Sequence, residues 1–202
     1  SLGVGEPDFH TPWHASEAGI LSIERGQTAY TSNQGMPELR DAISVYLDEK
    51  YHTKYRQEEI LVTVGASEGI DLALRAILNP GEEVLVPEPS YVSYKPCVVM
   101  AGGVAVPVNT QAVNEFRITP QELEELITPK TKAIILPYPN NPTGSVMRRE
   151  HLEAIASVII ENDLIVISDE IYGELTYGEQ PHVSIASLPG MWERTIVLNG
   201  FS

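Results

Sequence analysis

Four short stretches that follow apolar, strand-like runs carry side chains or small residues able to bind a ligand. They are Gly65-Ala66-Ser67, the stretch 88–94 with Tyr91, the stretch 140–144 with Asn141, and the stretch 169–172 with Asp169 and Tyr172. In open α/β sheets, ligands bind outside the carboxyl ends of the strands. We therefore treat the four stretches as candidates for one shared site.

The Gly65-Ala66-Ser67 stretch opens a helical pattern directly after an apolar run. Small residues let the backbone approach an anion closely, and the free N–H groups and dipole of a helix N-terminus favour a phosphate. A tight strand-to-helix turn also needs small residues, so the triplet alone leaves both interpretations open.

Asp169 ends an apolar strand-like run, and Tyr172 follows three residues later. A carboxylate at the end of a buried strand is costly unless a cation or hydrogen-bond donors meet it. We therefore expect Asp169 to have a cationic partner. The alternative is that Asp169 simply caps the next helix.

Tyr91 and Asn141 are weaker candidates on their own. Tyr91 could cover the face of a flat ligand, or pack within an ordinary loop. Asn141 precedes Pro142, and X-Pro bonds adopt the cis form at a cost of only about 0.5–1 kcal/mol, so we expect a cis peptide there. A plain surface turn is the alternative.

The elements that must position these residues alternate between short β-branched runs and helical patterns from residue 59 onward. This rhythm predicts a doubly wound, mostly parallel α/β sheet flanked by helices. The predicted strands are 59–65, 82–87, 102–108, 132–139, 164–170 and 195–199. The predicted helices are 66–78, one near 92–101, one started by the Thr119-Pro120-x-Glu122 capping box, and 148–162.

Composition excludes several functional classes. The net charge of −15, from 28 acidic and 13 basic residues, disfavours binding to nucleic acid or anionic membranes. No apolar run is long enough to span a bilayer, and no signal-peptide pattern is present, so we expect a cytoplasmic location. Cys97 is the only cysteine and is predicted to be a core residue. His10 and His14 lack the further ligands of a metal site, so no metal is predicted.

Taken together in this order and at this spacing, six motifs resemble those of the class I/II aminotransferases, which are pyridoxal-phosphate enzymes of fold type I. The motifs are GEPDF at 5–9, YTSNQGMPELRDAI at 30–43, VTVGASEGI at 62–70, NNPTG at 140–144, SDEIY at 168–172 and NGFS at 199–202. The resemblance spans essentially the whole chain.

The resemblance gives each candidate residue a role at the cofactor. It implies that Asp169 pairs with the pyridine nitrogen and keeps it protonated. Tyr172 and Asn141 would hydrogen-bond the phenolic oxygen of the ring, and Tyr91 would stack on its face. The phosphate would be bound by Ala66 and Ser67, with Ser202 close by.

Two further roles concern the substrate and a second subunit. The resemblance places Gly5 and Asn141 at the substrate, where the Gly5 backbone would meet the substrate carboxylate. It also implies a homodimer in which Tyr30 reaches the cofactor phosphate of the neighbouring subunit.

The lysine that forms the Schiff base in this family is expected directly after Ser202 and is not in the sequence. The carboxylate-binding arginine and the small domain are missing as well. We therefore expect residues 1–12 to form an N-terminal segment that reaches the substrate site, and residues 13–202 to form the large cofactor domain of a longer polypeptide. The 202 residues alone would be inactive.

Three functions are compatible with these motifs. The favoured one is an aminotransferase that moves an amino group from an amino acid to a 2-oxo acid by a ping-pong cycle. The second is a carbon–sulfur β-lyase on the same scaffold. The third is a non-catalytic, aminotransferase-like effector domain.

Overall fold

A parallel sheet forms the centre of the protein in the computed structural model, which describes residues 10–177 and 181–201. Within those ranges the sheet has five strands: β1 Glu83–Glu88, β2 Val104–Asn109, β3 Thr131–Leu136, β4 Ile165–Asp169 and β5 Thr195–Leu198. Their order is β2-β1-β3-β4-β5, and every neighbouring pair is parallel. The chain therefore reverses its direction of travel across the sheet between β1 and β3, where open α/β sheets bind ligands.

Helices cover both faces of this sheet. The α-helices of the described ranges are α1 Trp13–Glu24, α2 Pro37–Tyr51, α3 Gly65–Ile77, α4 Tyr94–Met100, α5 Pro120–Leu126 and α6 Arg149–Glu161. Residues of α3 and α4 pack with Val84, Val86 and Ile135 on one face. Residues of α5 and α6 pack with Leu85, Ile134 and Val166 on the other. The predicted doubly wound α/β class is confirmed.

The strands are apolar on both faces because helices cover both faces. In β3, residues Ala133 to Leu136 are each at most 2% exposed. Cys97, predicted to be a core residue, is buried in the cluster that contains α4.

The predicted capping box is confirmed at the start of α5. The Glu122 backbone N–H donates to the Thr119 hydroxyl, and the Glu122 carboxylate accepts from the Thr119 backbone N–H. None of the helices in the described ranges has the length and apolar content needed to cross a bilayer.

The prediction of a strand over residues 59–65 is wrong. Residues Gln57–Glu59 form a 3₁₀ helix, and the residues that follow are extended but pair with no strand of the described ranges. The backbone N–H of Val62 instead donates to the carbonyl of Gln34. A run rich in β-branched residues becomes a strand only where a neighbour satisfies its backbone groups. The described sheet ends at β5 and supplies no such neighbour here.

Candidate functional site

A chain of side-chain contacts links the N-terminus of α3 to the end of β4. The Ser67 Oγ lies 3.4 Å from the Tyr91 hydroxyl oxygen. The rings of Tyr91 and Tyr94 meet edge to face, with centroids 5.6 Å apart. The Tyr94 hydroxyl then donates to Asp169 Oδ2 at 2.8 Å. The structure thus brings together Ser67, Tyr91 and Asp169, as the sequence predicts.

Asp169 is the last residue of β4 and is 5% exposed. Burial raises the pKa of its carboxyl group, whereas the hydrogen bonds donated by the Tyr94 hydroxyl and the Ile171 N–H act in the opposite direction. No lysine, arginine or histidine nitrogen of the described residues lies within 4.0 Å of it. The expected cationic partner is therefore not supplied by the part of the chain that the structure describes.

Tyr94 is a site residue that the sequence analysis missed. It begins α4, is 3% exposed and contacts Asp169 through its hydroxyl. Burial, followed by the nearby Asp169 carboxylate, raises its pKa, so the hydroxyl keeps its proton and remains a donor. The available signal was the spacing of Tyr91 and Tyr94, which lie three residues apart where the loop after β1 leads into α4.

The start of α3 is accessible from the carboxyl edge of the sheet. Gly65 has a φ of +75°, a conformation that favours glycine. Ala66 is half-buried and Ser67 is exposed. The amide groups of the first helical turn have no acceptor within their own helix. The Glu68 carboxylate accepts from the Val64 N–H, which lies before this turn.

Close packing fixes the start of α3 beside β5. A Cβ atom at Gly69 would lie 3.0 Å from Leu198 Cδ2 and 3.5 Å from Thr63 Oγ1. A larger residue at position 69 would require the Leu198 side chain to move by a few tenths of an ångström. The start of α3 therefore packs closely against β5, the strand next to the one that ends at Asp169.

Tyr172 lies in the turn that follows β4 and is half-buried. The backbone N–H of Gly173 donates to the Glu170 carbonyl, and that of Leu175 donates to the Tyr172 carbonyl, each at 2.8 Å. After burial and Asp169, the proximity of Tyr172 is a further cause of the raised pKa of Tyr94. Tyr172 thus belongs to the same site as Asp169.

Asn141 has the predicted cis peptide bond to Pro142, and its side chain is exposed. The turn around it is held by its neighbour Asn140, whose Oδ1 accepts from the backbone N–H and the hydroxyl of Thr143. Among the described residues, the Asn141 side chain has no hydrogen bond to Ser67, Tyr91, Asp169 or Tyr172. Its role at a cofactor remains a prediction.

Of the remaining predicted residues, only Tyr30 is described by the structure, and it has no side-chain hydrogen bond to the described residues of this site. Tyr30 is fully exposed. Gly5 and Ser202 lie outside the described residues, as does most of the predicted N-terminal segment 1–12. Among the described residues there is no group of three or more histidine, cysteine, aspartate or glutamate side chains placed to hold a metal ion.

These features define the chain as a doubly wound α/β domain with a candidate ligand site at the carboxyl edge of its sheet. An accessible helix N-terminus lies at one end of that site, and at the other lies a buried carboxylate that no cation of the described residues contacts. The chain belongs to the family described as aminotransferase class I and II, whose family model matches residues 1–202.

Individual relatives agree with this membership. The chain is 53% identical to a Bacillus subtilis protein named as an aminotransferase and 50% identical to an aspartate aminotransferase of Pyrococcus abyssi. Both matches cover 100% of this chain and 52% of the relative, so the chain spans about half the length of these curated relatives. The crystal structure of an aromatic aminotransferase from Pyrococcus horikoshii superposes with a TM-score of 0.98 at 47% identity. That match covers 100% of this chain and 54% of that chain.

Proposed function

We propose that the full-length protein is a pyridoxal-phosphate-dependent aminotransferase that transfers an amino group from an amino acid to a 2-oxo acid. One observation carries the proposal: Asp169 is buried and hydrogen-bonded, yet no cation of the described residues meets it. Asp169 would meet a protonated ring nitrogen and the start of α3 would meet a phosphate, so a ligand that carries both groups matches the two ends of the site in charge.

The residues present fit pyridoxal phosphate in charge and hydrogen-bonding character. Asp169 would hold the ring nitrogen, the amides of Ala66 and Ser67 would hold the phosphate, and Tyr91 would cover a face of the ring. Tyr172 and Asn141 would donate to the phenolic oxygen. When bound, the cofactor supplies an electron sink for the bonds at the substrate α-carbon.

Tyr94 gives Asp169 the state that this role requires. A carboxylate must be ionised to hold a protonated nitrogen, and burial opposes ionisation. The Tyr94 hydroxyl and the Ile171 N–H both stabilise the ionised form and orient the carboxylate. A bound pyridinium would remove the rest of the burial cost, because it would supply the missing positive charge.

The relatives favour transamination over the other two hypotheses. The proteins compared above are named as aminotransferases, two of them for aspartate and for aromatic substrates. These names support an enzyme rather than an effector domain, and amino transfer rather than β-elimination. They also define the first amino donors to test.

The proposal extends to the parts of the full-length protein outside these 202 residues. The Schiff-base lysine would follow Ser202, and a small domain with the carboxylate-binding arginine would complete the substrate site beside Gly5. Two subunits would share each site through Tyr30. A cytoplasmic location is supported by the single, buried cysteine.

A donor screen on the full-length protein tests the function. The protein loaded with pyridoxal phosphate is mixed with aspartate, an aromatic amino acid or cystathionine, with no 2-oxo acid present. An aminotransferase loses the visible absorption of its cofactor with a donor alone, because the cofactor becomes aminated. If cystathionine yields pyruvate and no donor changes the spectrum, the protein is a lyase and the proposal is wrong.

A further inference from the structure

A second buried carboxylate, Glu170, lies directly after Asp169 and is not used in the proposed reaction. It is 1% exposed. Side chains alternate between the two faces of a strand. Ile167 packs in the cluster that contains α3 and α4, whereas Val166 packs with α5 and α6. Glu170 therefore continues the face opposite to that of Asp169.

Three side chains bind the Glu170 carboxylate. The hydroxyls of Ser168 and Ser184 each donate to Oε1 at 2.8 Å, and His182 Nε2 lies 2.9 Å from Oε2. Ser184 and Ser168 are 2% and 5% exposed. We call these four residues, Ser168, Glu170, His182 and Ser184, the Glu170 cluster. These hydrogen bonds hold the buried carboxylate in one position, because any movement that broke them would leave a buried charge without a partner.

The Glu170 cluster contacts the turn that presents Tyr172. The backbone N–H of Gly173 donates to the Glu170 carbonyl. A Cβ atom at Gly173 would lie 2.9 Å from the Tyr51 hydroxyl, 3.1 Å from the Glu170 carbonyl and 3.2 Å from His182 Cδ2. The residue directly after Tyr172 therefore lies between the His182 ring and the Glu170 backbone, where a side chain larger than that of glycine would be too close to both.

A second anchor holds the other side of the same turn. The Glu174 carboxylate accepts from the Tyr51 hydroxyl and pairs with Lys50, both at 3.0 Å. The Tyr51 ring in turn meets His182 edge to face, with centroids 5.5 Å apart. The buried Glu170 cluster and this exposed pair are thus joined through Tyr51.

We propose that Glu170 is a positioning residue: through His182, Ser184 and Gly173 it fixes the turn that sets the Tyr172 hydroxyl against the cofactor. The inference rests on the proposed function, because it assumes that Tyr172 donates to the phenolic oxygen of the ring. Glu170 touches neither cofactor nor substrate in this account. Glu170 acts on Tyr172 by holding the backbone of residues 171–174 in place.

Two variants of the full-length protein test the proposal. Glu170→Gln keeps the shape but removes the charge, and Ser184→Ala is the milder change because it removes a single hydrogen bond. Each is expected to weaken pyridoxal phosphate binding about fivefold, less than the loss of a direct hydrogen bond to a charged group, because only the position of Tyr172 changes. Each should also move the pH midpoint of the bound cofactor's visible absorption in the same direction as Tyr172→Phe.

A double variant distinguishes a positioning role of Glu170 from a general loss of structure. If Glu170 acts through Tyr172, adding Glu170→Gln to Tyr172→Phe moves the pH midpoint no further. Hydrogen exchange of the cofactor-free protein should be faster in peptides covering 171–177 and unchanged elsewhere. Glu122→Gln is the control, since that half-buried carboxylate also accepts hydrogen bonds from neighbouring groups but lies at the start of α5.

The outcomes distinguish the two proposals. If the wild type does not bind pyridoxal phosphate, the proposed function fails. If the wild type binds it but both cluster variants keep the wild-type midpoint and exchange rates, the positioning role of Glu170 is wrong. Additive midpoint shifts in the double variant would also overturn that role.

Discussion

At the residue scale, the burial of Asp169 favours the proposed function but costs folding stability, because the proposed cofactor would pair with a buried carboxylate whereas folding alone gains nothing from burying a charge. Its raised pKa means that the folded protein holds this proton to a higher pH than the unfolded chain does. Folding stability must then fall as pH rises from the ordinary value of 3.8 to the raised value, and it stays reduced above that window.

The Asp169→Asn variant should therefore be more stable than the wild type near neutral pH when no cofactor is bound. Asparagine keeps the shape and one acceptor but has no charge to bury. Chemical unfolding of the cofactor-free full-length proteins at several pH values measures the difference. The difference in the free energy of unfolding should increase as the pH rises from 3.8 to the raised pKa of Asp169, and it should stay constant above that pH. Parallel stability curves over the whole pH range would contradict the prediction.

Tyr94 should matter for cofactor binding although it need not touch the cofactor. Tyr94→Phe removes the hydrogen bond to Asp169 Oδ2, so the ionised carboxylate is less stable. We expect pyridoxal phosphate to bind about tenfold or more weakly, the usual effect of losing a hydrogen bond to a charged group. Spectroscopic titration of the full-length protein measures this affinity.

Tyr138→Phe is the control for that experiment. Tyr138 is equally buried, and its hydroxyl donates to the Phe116 carbonyl on the other side of the sheet. Its loss should lower stability and leave cofactor affinity unchanged. Equal losses of affinity in both variants would mean that Tyr94 acts through the core and not through Asp169.

The sequence predicted the individual site residues better than their partners. Asp169 could be recognised because a carboxylate at the end of a buried strand needs an explanation. Its contact with Tyr94 could not, since 75 residues separate the pair along the chain and only the sheet order brings β4 next to the helix after β1. The contacts of Glu170 could not be predicted for the same reason, because its partners His182 and Ser184 come from a later segment of the chain.

At the scale of single elements, α5 tests whether a local capping residue contributes to the stability of a helix. Thr119→Ala removes the side chain that accepts from the Glu122 N–H, and it should lower the free energy of unfolding by about 1 kcal/mol. Thr119→Ser keeps the hydroxyl and should stay close to the wild type. Denaturant unfolding of the three proteins measures both. Equal losses in both variants would show that the methyl group, not the cap, stabilises the helix.

Elements were predictable where local signals decide them. The five strands and helices α3 to α6 follow from the spacing of their apolar residues and from the residues that start and end the helices. Residues 59–65 have the composition of a strand. Whether they form one depends on an adjacent strand that can accept and donate their backbone hydrogen bonds, and the composition of the run does not reveal this. Its apolar residues Leu61 and Val64 are accordingly 52% and 88% exposed. Helices α1 and α2 lay before the alternating region and were not predicted.

At the scale of the whole molecule, the central proposal about assembly is that Tyr30 completes the site of a second subunit. Tyr30 is fully exposed in a single chain, which is compatible with a contact made by another. Subunits carrying Tyr30→Phe and subunits carrying Asp169→Ala can be dissociated and reassembled together. In each hybrid dimer, one site then receives an intact Asp169 and an intact Tyr30.

Mixing should restore about a quarter of wild-type activity at limiting cofactor, because half of the dimers are hybrids and each has one native site. Each variant alone should stay well below that level. If Tyr30 acted within its own subunit, no hybrid would contain a native site. Activity that stays at the average of the two parent variants would therefore contradict the shared site.

The most direct measurement of the whole account follows a labelled nitrogen through the full-length protein. The pyridoxal-phosphate-loaded enzyme is treated with a ¹⁵N-amino donor, separated from it, and then given an unlabelled 2-oxo acid. If the protein is an aminotransferase, it holds the label in an amount equal to its cofactor, and the label then appears in the new amino acid. Label released as ammonia, or never retained by the protein, would contradict the proposed function.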